Sequence, residues 1–242
     1  MLASWHGRGA GGAVGGGLEF VGSRTFPQLG TTSTFTVPLT ALTGGIASAP
    51  RTGDLVVAFI GMSSLSGSRD LTMPSGWAEL DRVQGNDTYD CDLYVIYKTM
   101  GATPDTGFDI VGGMPSVNSS LAVTIHVHAG ASAAAPSFTT ANGGNSVLCN
   151  PPEITPTVAG SEVISGGVGG HREGERTFSS SSFDSFLSEG VDGVRKSRTD
   201  CTIGVGRFAW TSGVFDPAAF TFSGSSLATS SWAALSLVII PE

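Results

Sequence analysis

His126 and His128, in the stretch TIHVHAG, stand two residues apart. On a β-strand that spacing puts both imidazoles on one face, which is how a sheet offers two ligands to a metal ion. A site needs a third ligand, and His171, His6 or an acidic side chain would have to arrive from another element. The plainer reading is a polar strand face with hydrogen-bonded or solvated imidazoles, and on it neither a metal nor a cofactor is expected. Asp87, Asp90 and Asp92 in NDTYDCD resemble a calcium loop only in being acidic. Turn and strand-start positions account for them equally well.

Nucleophilic chemistry finds little support. The stretch PSGW (Pro74 to Trp77) lacks the flanking glycines of G-x-S-x-G, and none of the four histidines stands in a recognisable Ser or Asp partner motif. The chain is therefore not expected to be an enzyme.

The stretch GRGAGGAVGGG carries seven glycines, and Gly7, Gly9 and Gly12 match the G-x-G-x-x-G spacing of a dinucleotide loop. Such a loop must leave a strand and open a helix whose N-terminus holds the pyrophosphate. Six residues precede Gly7 and more glycine follows Gly12, so neither flank can be built. What glycine supplies is a backbone free to pass close to another surface. Gly7, Arg8, Gly9, Gly11, Gly12, Gly15, Gly16 and Gly17 are accordingly expected to form an assembly arm that becomes ordered on a neighbouring subunit.

Charge narrows the partners. A formal net charge of −8 opposes nucleic acid, which needs a basic face to release counterions. Arg195, Lys196 and Arg198 read as a solvated turn, and HREGER (171 to 176) as an exposed loop or a subunit contact. No secretory signal is expected from the first twenty residues. The run from Ala233 to Ile240 is far below the roughly 20 apolar residues that cross a bilayer, so membrane insertion is not expected. Three cysteines, Cys91, Cys149 and Cys201, are too few and odd in number for a disulfide framework.

These residues need a scaffold, and the composition indicates which kind. Gly is 35 of 242 residues and charge only 13%, the profile of many short strands and turns. Strands are predicted over 54–60, 77–83, 92–98, 108–111 and 121–128, with turns at PSG and QGND. The second half repeats the order of the first. GDLVVAFIG from Gly53 matches GSEVISGGVG from Gly160 at an offset of 107, and CDLYVIY from Cys91 matches CTIGVGRF from Cys201 at 110. Phe108 matches Phe220, and AVTIHV from Ala122 matches ALSLVI from Ala234, both at 112. Small loop insertions in a duplicated unit produce such a drift.

The expected fold is all-β, an antiparallel sandwich or jelly roll built from two related halves with a glycine-rich N-terminal arm. The arm is placed at 1–30, the first half at 31–131, a connector at 132–157 and the second half at 158–242, with 31–242 one compact body.

GDLVVAFIG (Gly53 to Gly61), PSGW (Pro74 to Trp77), DLYVIYK (Asp92 to Lys98) and an alternating strand such as LAVTIHVHAG resemble a β-rich protein type common in tailed bacteriophages. TPTVAGSEVISGGVGG is similar to the stretch that opens that family's later repeat. The resemblance spans about 53–240, and its motifs are turn and core residues. It implies a non-enzymatic virion protein of tail, neck or capsid exterior, assembled in the bacterial host cytoplasm, with copies of itself and other virion proteins as partners. The glycine-rich N-terminus departs from the family pattern. A second expectation is a carbohydrate- or receptor-binding module of a tail fibre that reads a host surface glycan. It would need an exposed aromatic platform from Trp5, Trp77, Trp210 or Trp232, of which Trp77 and Trp232 sit in core-like patterns.

Overall fold

The computed structural model describes residues 17–29, 34–64, 70–86, 90–112, 120–143, 148–171, 176–190, 200–223 and 231–242. Among them the chain is all-β, with every strand pairing antiparallel. In the first half a five-stranded sheet runs in the order β1 (Glu19–Leu29), β8 (Ser120–Ala129), β3 (Leu55–Ser64), β6 (Asp90–Thr99), β5 (Ala78–Gly85). A three-stranded sheet covers its outer face in the order β2 (Thr34–Pro38), β7 (Gly107–Gly112), β4 (Leu71–Thr72).

The second half repeats both sheets strand for strand. Its five-stranded sheet runs β9 (Ser137–Gly143), β16 (Ser231–Ile239), β11 (Glu162–His171), β14 (Asp200–Ala209), β13 (Ser185–Gly190). Its three-stranded sheet runs β10 (Leu148–Cys149), β15 (Phe220–Phe222), β12 (Phe178–Ser179). The order 1-8-3-6 against 2-7-4 is that of a jelly roll, with the fifth strand carried at the edge of the larger sheet. The two five-stranded sheets pack face to face, so the body has four layers and three buried seams.

Alternation along each strand decides which seam a residue enters. On β3, Val56, Ala58, Ile60 and Met62 enter the first half's own core, while Leu55, Val57 and Phe59 enter the seam between halves. Both faces are buried, which is why LVVAFI reads as a continuous apolar run. β11 and its neighbour β14 solve the same problem with glycine. Cβ atoms at Gly169 and Gly206 would collide with the rings of Phe222 and Phe183, and one at Gly204 would lie 2.8 Å from Phe186. The second half thus lays a phenylalanine cluster onto a glycine-lined sheet, where the first half packs aliphatic side chains of its larger sheet against a mixed aliphatic and aromatic layer.

At the centre of the middle seam, equivalent residues meet each other. Phe59 of β3 lies on Gly166 of β11, and Val168 of β11 lies on Gly61 of β3, where an added Cβ would sit 2.7 Å from the valine side chain. Cys91 Sγ lies 3.8 Å from the Val168 carbonyl oxygen, and Cys201 Sγ lies 3.7 Å from that of Gly61. These mirrored contacts are the signature of a local two-fold relating the halves.

Three sequence expectations change here. Residues 19–29, included in the expected arm, form edge strand β1, paired with β8 from Glu19↔Ala129 to Leu29↔Ser120 around a bulge at Phe20/Gly22. An edge tolerates Pro27 because one side of the strand needs no ladder hydrogen bond. Residues 132–157, read as a connector with strand only at 146–149, contain β9 as well as β10, the counterparts of β1 and β2. The offset for the last strand is 111, not 112: Leu55 pairs with His128 where Glu162 pairs with Ile239. A slip of one would turn Ala234, which faces the outer core, into the seam occupied by Ala122.

Candidate functional site

Of the expected assembly residues, Gly7, Arg8, Gly9, Gly11, Gly12, Gly15 and Gly16 lie outside the described residues, as do Trp5, His6, Asp87, Arg195, Lys196 and Arg198. Gly17 is described and exposed, with open space where a Cβ would stand, two residues before β1 begins.

His126 and His128 do share a face of β8, and that face is the seam between the halves, where both are 0% exposed. Their rings stack nearly parallel, 6.4 Å apart, against Phe20 of β1. Across the seam stand Glu162 of β11 and Arg207 of β14. Arg207 Nη1 donates to Glu162 Oε2 at 3.2 Å, and His128 Nδ1 lies 3.7 Å from Glu162 Oε1. The Arg207 guanidinium sits 4.1 Å over the Phe20 ring. Neither ring nitrogen of His126 or His128 has a hydrogen-bond partner among the described residues.

Desolvation, and then the nearby Arg207 charge, push His126 down to about 3. His128 is held well below its ordinary range by burial, His126 and Arg207. Burial raises the Glu162 carboxyl, against the pull of Arg207. Among the described residues no group of three or more His, Cys, Asp or Glu side chains is placed to hold an ion, and His6 lies outside them.

The local two-fold supplies a comparison inside the same chain. The partners of His126, His128, Glu162 and Arg207 in the repeat are Leu237, Ile239, Leu55 and Tyr97, which close the opposite end of the seam with apolar packing. The fold therefore accepts hydrocarbon at these positions. Sequence reasoning missed Glu162 and Arg207 because their strand mates look like ordinary seam residues.

The remaining candidates disperse. Asp92 is buried 3.5 Å from Arg82, whose guanidinium also reaches Asp70 at 2.6 Å and covers the Tyr94 ring. His171, the start of HREGER, is buried at the end of β11 with Nε2 2.9 Å from Thr202 Oγ1. All three thiols are free and buried. Burial pushes Cys91 and Cys201 up to about 12 and Cys149 well above its ordinary value. The thiolate is the reactive form, so Ellman's reagent at pH 8 should leave the native protein unmodified for hours and titrate three thiols once urea unfolds it. A thiol reacting in the native protein at free-cysteine rates would contradict this packing.

An open cleft lies beside the PSGW turn, between the end of β4 and the start of β7, with a volume of about 540 Å³. Met73 lines it, and beneath it Trp77 and Phe108, whose ring centroids are 4.4 Å apart, are buried in the first half's core. Its rim carries Ser75, Asp109 and the ion pair Lys98–Asp105, with Nζ to Oδ2 at 2.6 Å. Asp109 accepts a 2.6 Å hydrogen bond from the Thr36 hydroxyl. The second half has a cleft at the equivalent place, lined by Ser179, Ser180, Ser181, Ala218, Ala219 and Thr221.

No family model, curated protein or solved structure matches this chain.

Proposed function

We propose that this protein is a non-enzymatic structural component of a tailed-phage virion, displayed on tail, neck or capsid exterior and anchored through its N-terminal glycine-rich segment. The observation that carries the reading is the back-to-back pair of jelly rolls, with the resemblance motifs in its framework. GDLVVAFIG leads into the doubly buried centre of the larger sheet, PSGW turns into edge strand β5, and DLYVIYK is its buried neighbour β6. The jelly roll recurs in viral capsid and lectin domains as an interaction scaffold. Residues before Glu19 feed directly into β1, an edge of that sheet, so a segment held by a neighbouring subunit would be tied to the rigid body by a complete strand pairing.

The test shortens the chain to begin at Gly17, leaving β1 intact. The expected result is an unchanged melting temperature and at least a tenfold loss of incorporation into particles assembled from the remaining virion proteins. Normal incorporation of the shortened chain would remove the arm from the proposal, and failure of the full chain to enter any particle would remove the virion role.

A further inference from the structure

The two larger sheets have four edges, and three of them are guarded. Along β1 the amide of Ser23 donates to the Thr43 carbonyl and that of Thr43 to the Ser23 carbonyl, both at 2.9 Å, while Pro27 removes a donor further on. β5 carries Glu79, Asp81 and Arg82, with a register shift between Glu79 and Asp81. β13 carries Glu189, and the backbone of Arg176 lies against its last residue, Gly190. Charges, prolines, bulges and covering loops are the means by which sheet edges are kept from joining other strands. β9 has none of them. SFTTANG holds no charge and no proline, and among the described residues its backbone pairs with β16 alone. The loop after β10 reaches it through a side chain, the Thr139 hydroxyl donating to the Glu153 carbonyl at 2.9 Å. Phe138 stands opposite Leu237 as Ser23 stands opposite His126, so the two are equivalent, yet Ser23 is 5% exposed and Phe138 39%. The sister half shows that the fold can close this edge, and here it is left open.

An uncovered edge of this kind is complementary to itself. In β1 the Ser23 backbone is turned outward, so in β9 the outward groups belong to Phe138, Thr140 and Asn142. The Asn142 side chain donates to the Gln84 carbonyl of β5 at 2.8 Å, which ties down one end of the strand and leaves residues 137–141 open. Two copies related by a two-fold bring such strands together antiparallel, the pairing used throughout this body, with outward N–H groups facing outward C=O groups. With no charge in the strand, self-pairing sets no like charges opposite each other, and the exposed Phe138 ring gains cover. On the neighbouring edge β5, the bulge and the acidic side chains of Glu79 and Asp81 confine the contact to β9. We propose that the occupant is a second copy of this chain: β9 pairs with β9, joining two five-stranded sheets into one continuous sheet. This interface is separate from the glycine-rich segment and does not rest on the virion role.

The test is sedimentation of the full chain over a concentration series. A reversible dimer of twice the 24.6 kDa chain mass is expected at micromolar concentrations, since a single strand pair is a small interface. Thr140→Pro removes an outward N–H and leaves the ladder to β16 intact, and Phe138→Lys gives the edge the kind of charge that guards others. Each should weaken the dimer by about tenfold or more, the scale of one or two lost hydrogen bonds. Val214→Lys, at an apolar position 58% exposed and outside β9, should leave the dimer unchanged. Melting temperatures confirm that the variants are folded, and Phe138→Lys decides where Thr140→Pro does not fold. Three results would each overturn the interface: a full chain that stays monomeric throughout the series, which would leave the edge to a strand from another protein; open-ended growth beyond the dimer; or an undiminished dimer in the folded β9 variants. Particle incorporation is scored separately, so failure of the dimer and failure of the virion role are told apart.

Discussion

Acidification from pH 7 to pH 4 should destabilise the native protein steeply, and the double variant His126→Leu with His128→Ile should lose much less. Both imidazoles are neutral in the folded seam, His126 down at about 3 and His128 also far below its ordinary 6.5. The unfolded chain takes up protons below about 6.5 while the native state does not, so stability falls as pH drops through that value towards about 3. Each histidine contributes a slope of up to about 1.4 kcal/mol per pH unit. Two units of acidification therefore remove about 3 kcal/mol through His126 alone, and His128 adds to it, a sizeable part of the 5–15 kcal/mol stability of an ordinary domain.

Two other groups shape the profile. His171, also down at about 3 by burial, adds a similar loss in both proteins. Glu162 works the other way: its raised carboxyl takes a proton in the native state before it would in the unfolded one, which offsets part of the loss at the acid end. The substitutions copy Leu237 and Ile239 from the other end of the seam, so at pH 7 the variant should be at least as stable as the native chain. Urea unfolding at half-unit pH steps reads the effect. Parallel stability curves for the two proteins between pH 7 and 4 would show that the histidines are not held neutral.

The second large effect lies on the local two-fold. Gly166→Phe should prevent native folding, since even a Cβ there collides with the fully buried Phe59 ring. Phe59→Gly alone should cost about 3–5 kcal/mol, leaving a cavity against Gly166. The exchange of both, Phe59→Gly with Gly166→Phe, restores one ring and one glycine at the contact and should be clearly more stable than Gly166→Phe alone. Overpacking normally costs about 1–3 kcal/mol, but here rigid backbone lies on both sides of the ring. Denaturant midpoints of the double-mutant cycle measure the coupling, and additive effects would mean that the two residues do not share one space.

What the sequence disclosed follows from where chemistry leaves a period. β3, β6 and β8 are buried on both faces, so their apolar runs stand out between Gly, Pro and Asp turns, and the same order in the second half exposes the duplication. β1 and β9 escaped because an edge strand relaxes the pattern: EFVGSRTFPQL carries a bulge glycine and a proline, and SFTTANG is exposed along most of its length. The histidine pair was visible and its shared face foreseeable. Its burial was not, because that depends on a second sheet whose facing residues, Glu162 and Arg207, lie dozens of residues away in the chain.

The pairing of Phe59 with Gly166 and of Gly61 with Val168 has a consequence for how copies of this chain meet. Two identical first halves brought together through the same seam would set phenylalanine against phenylalanine and glycine against glycine, a clash beside a void. The largest apolar faces are thus matched only to their own sister and held to it by a covalent tether, at an effective concentration no second chain can match. Each copy behaves as a sealed, two-faced brick, and any lattice it joins must be cemented through its outer sheets, edges and terminal segment.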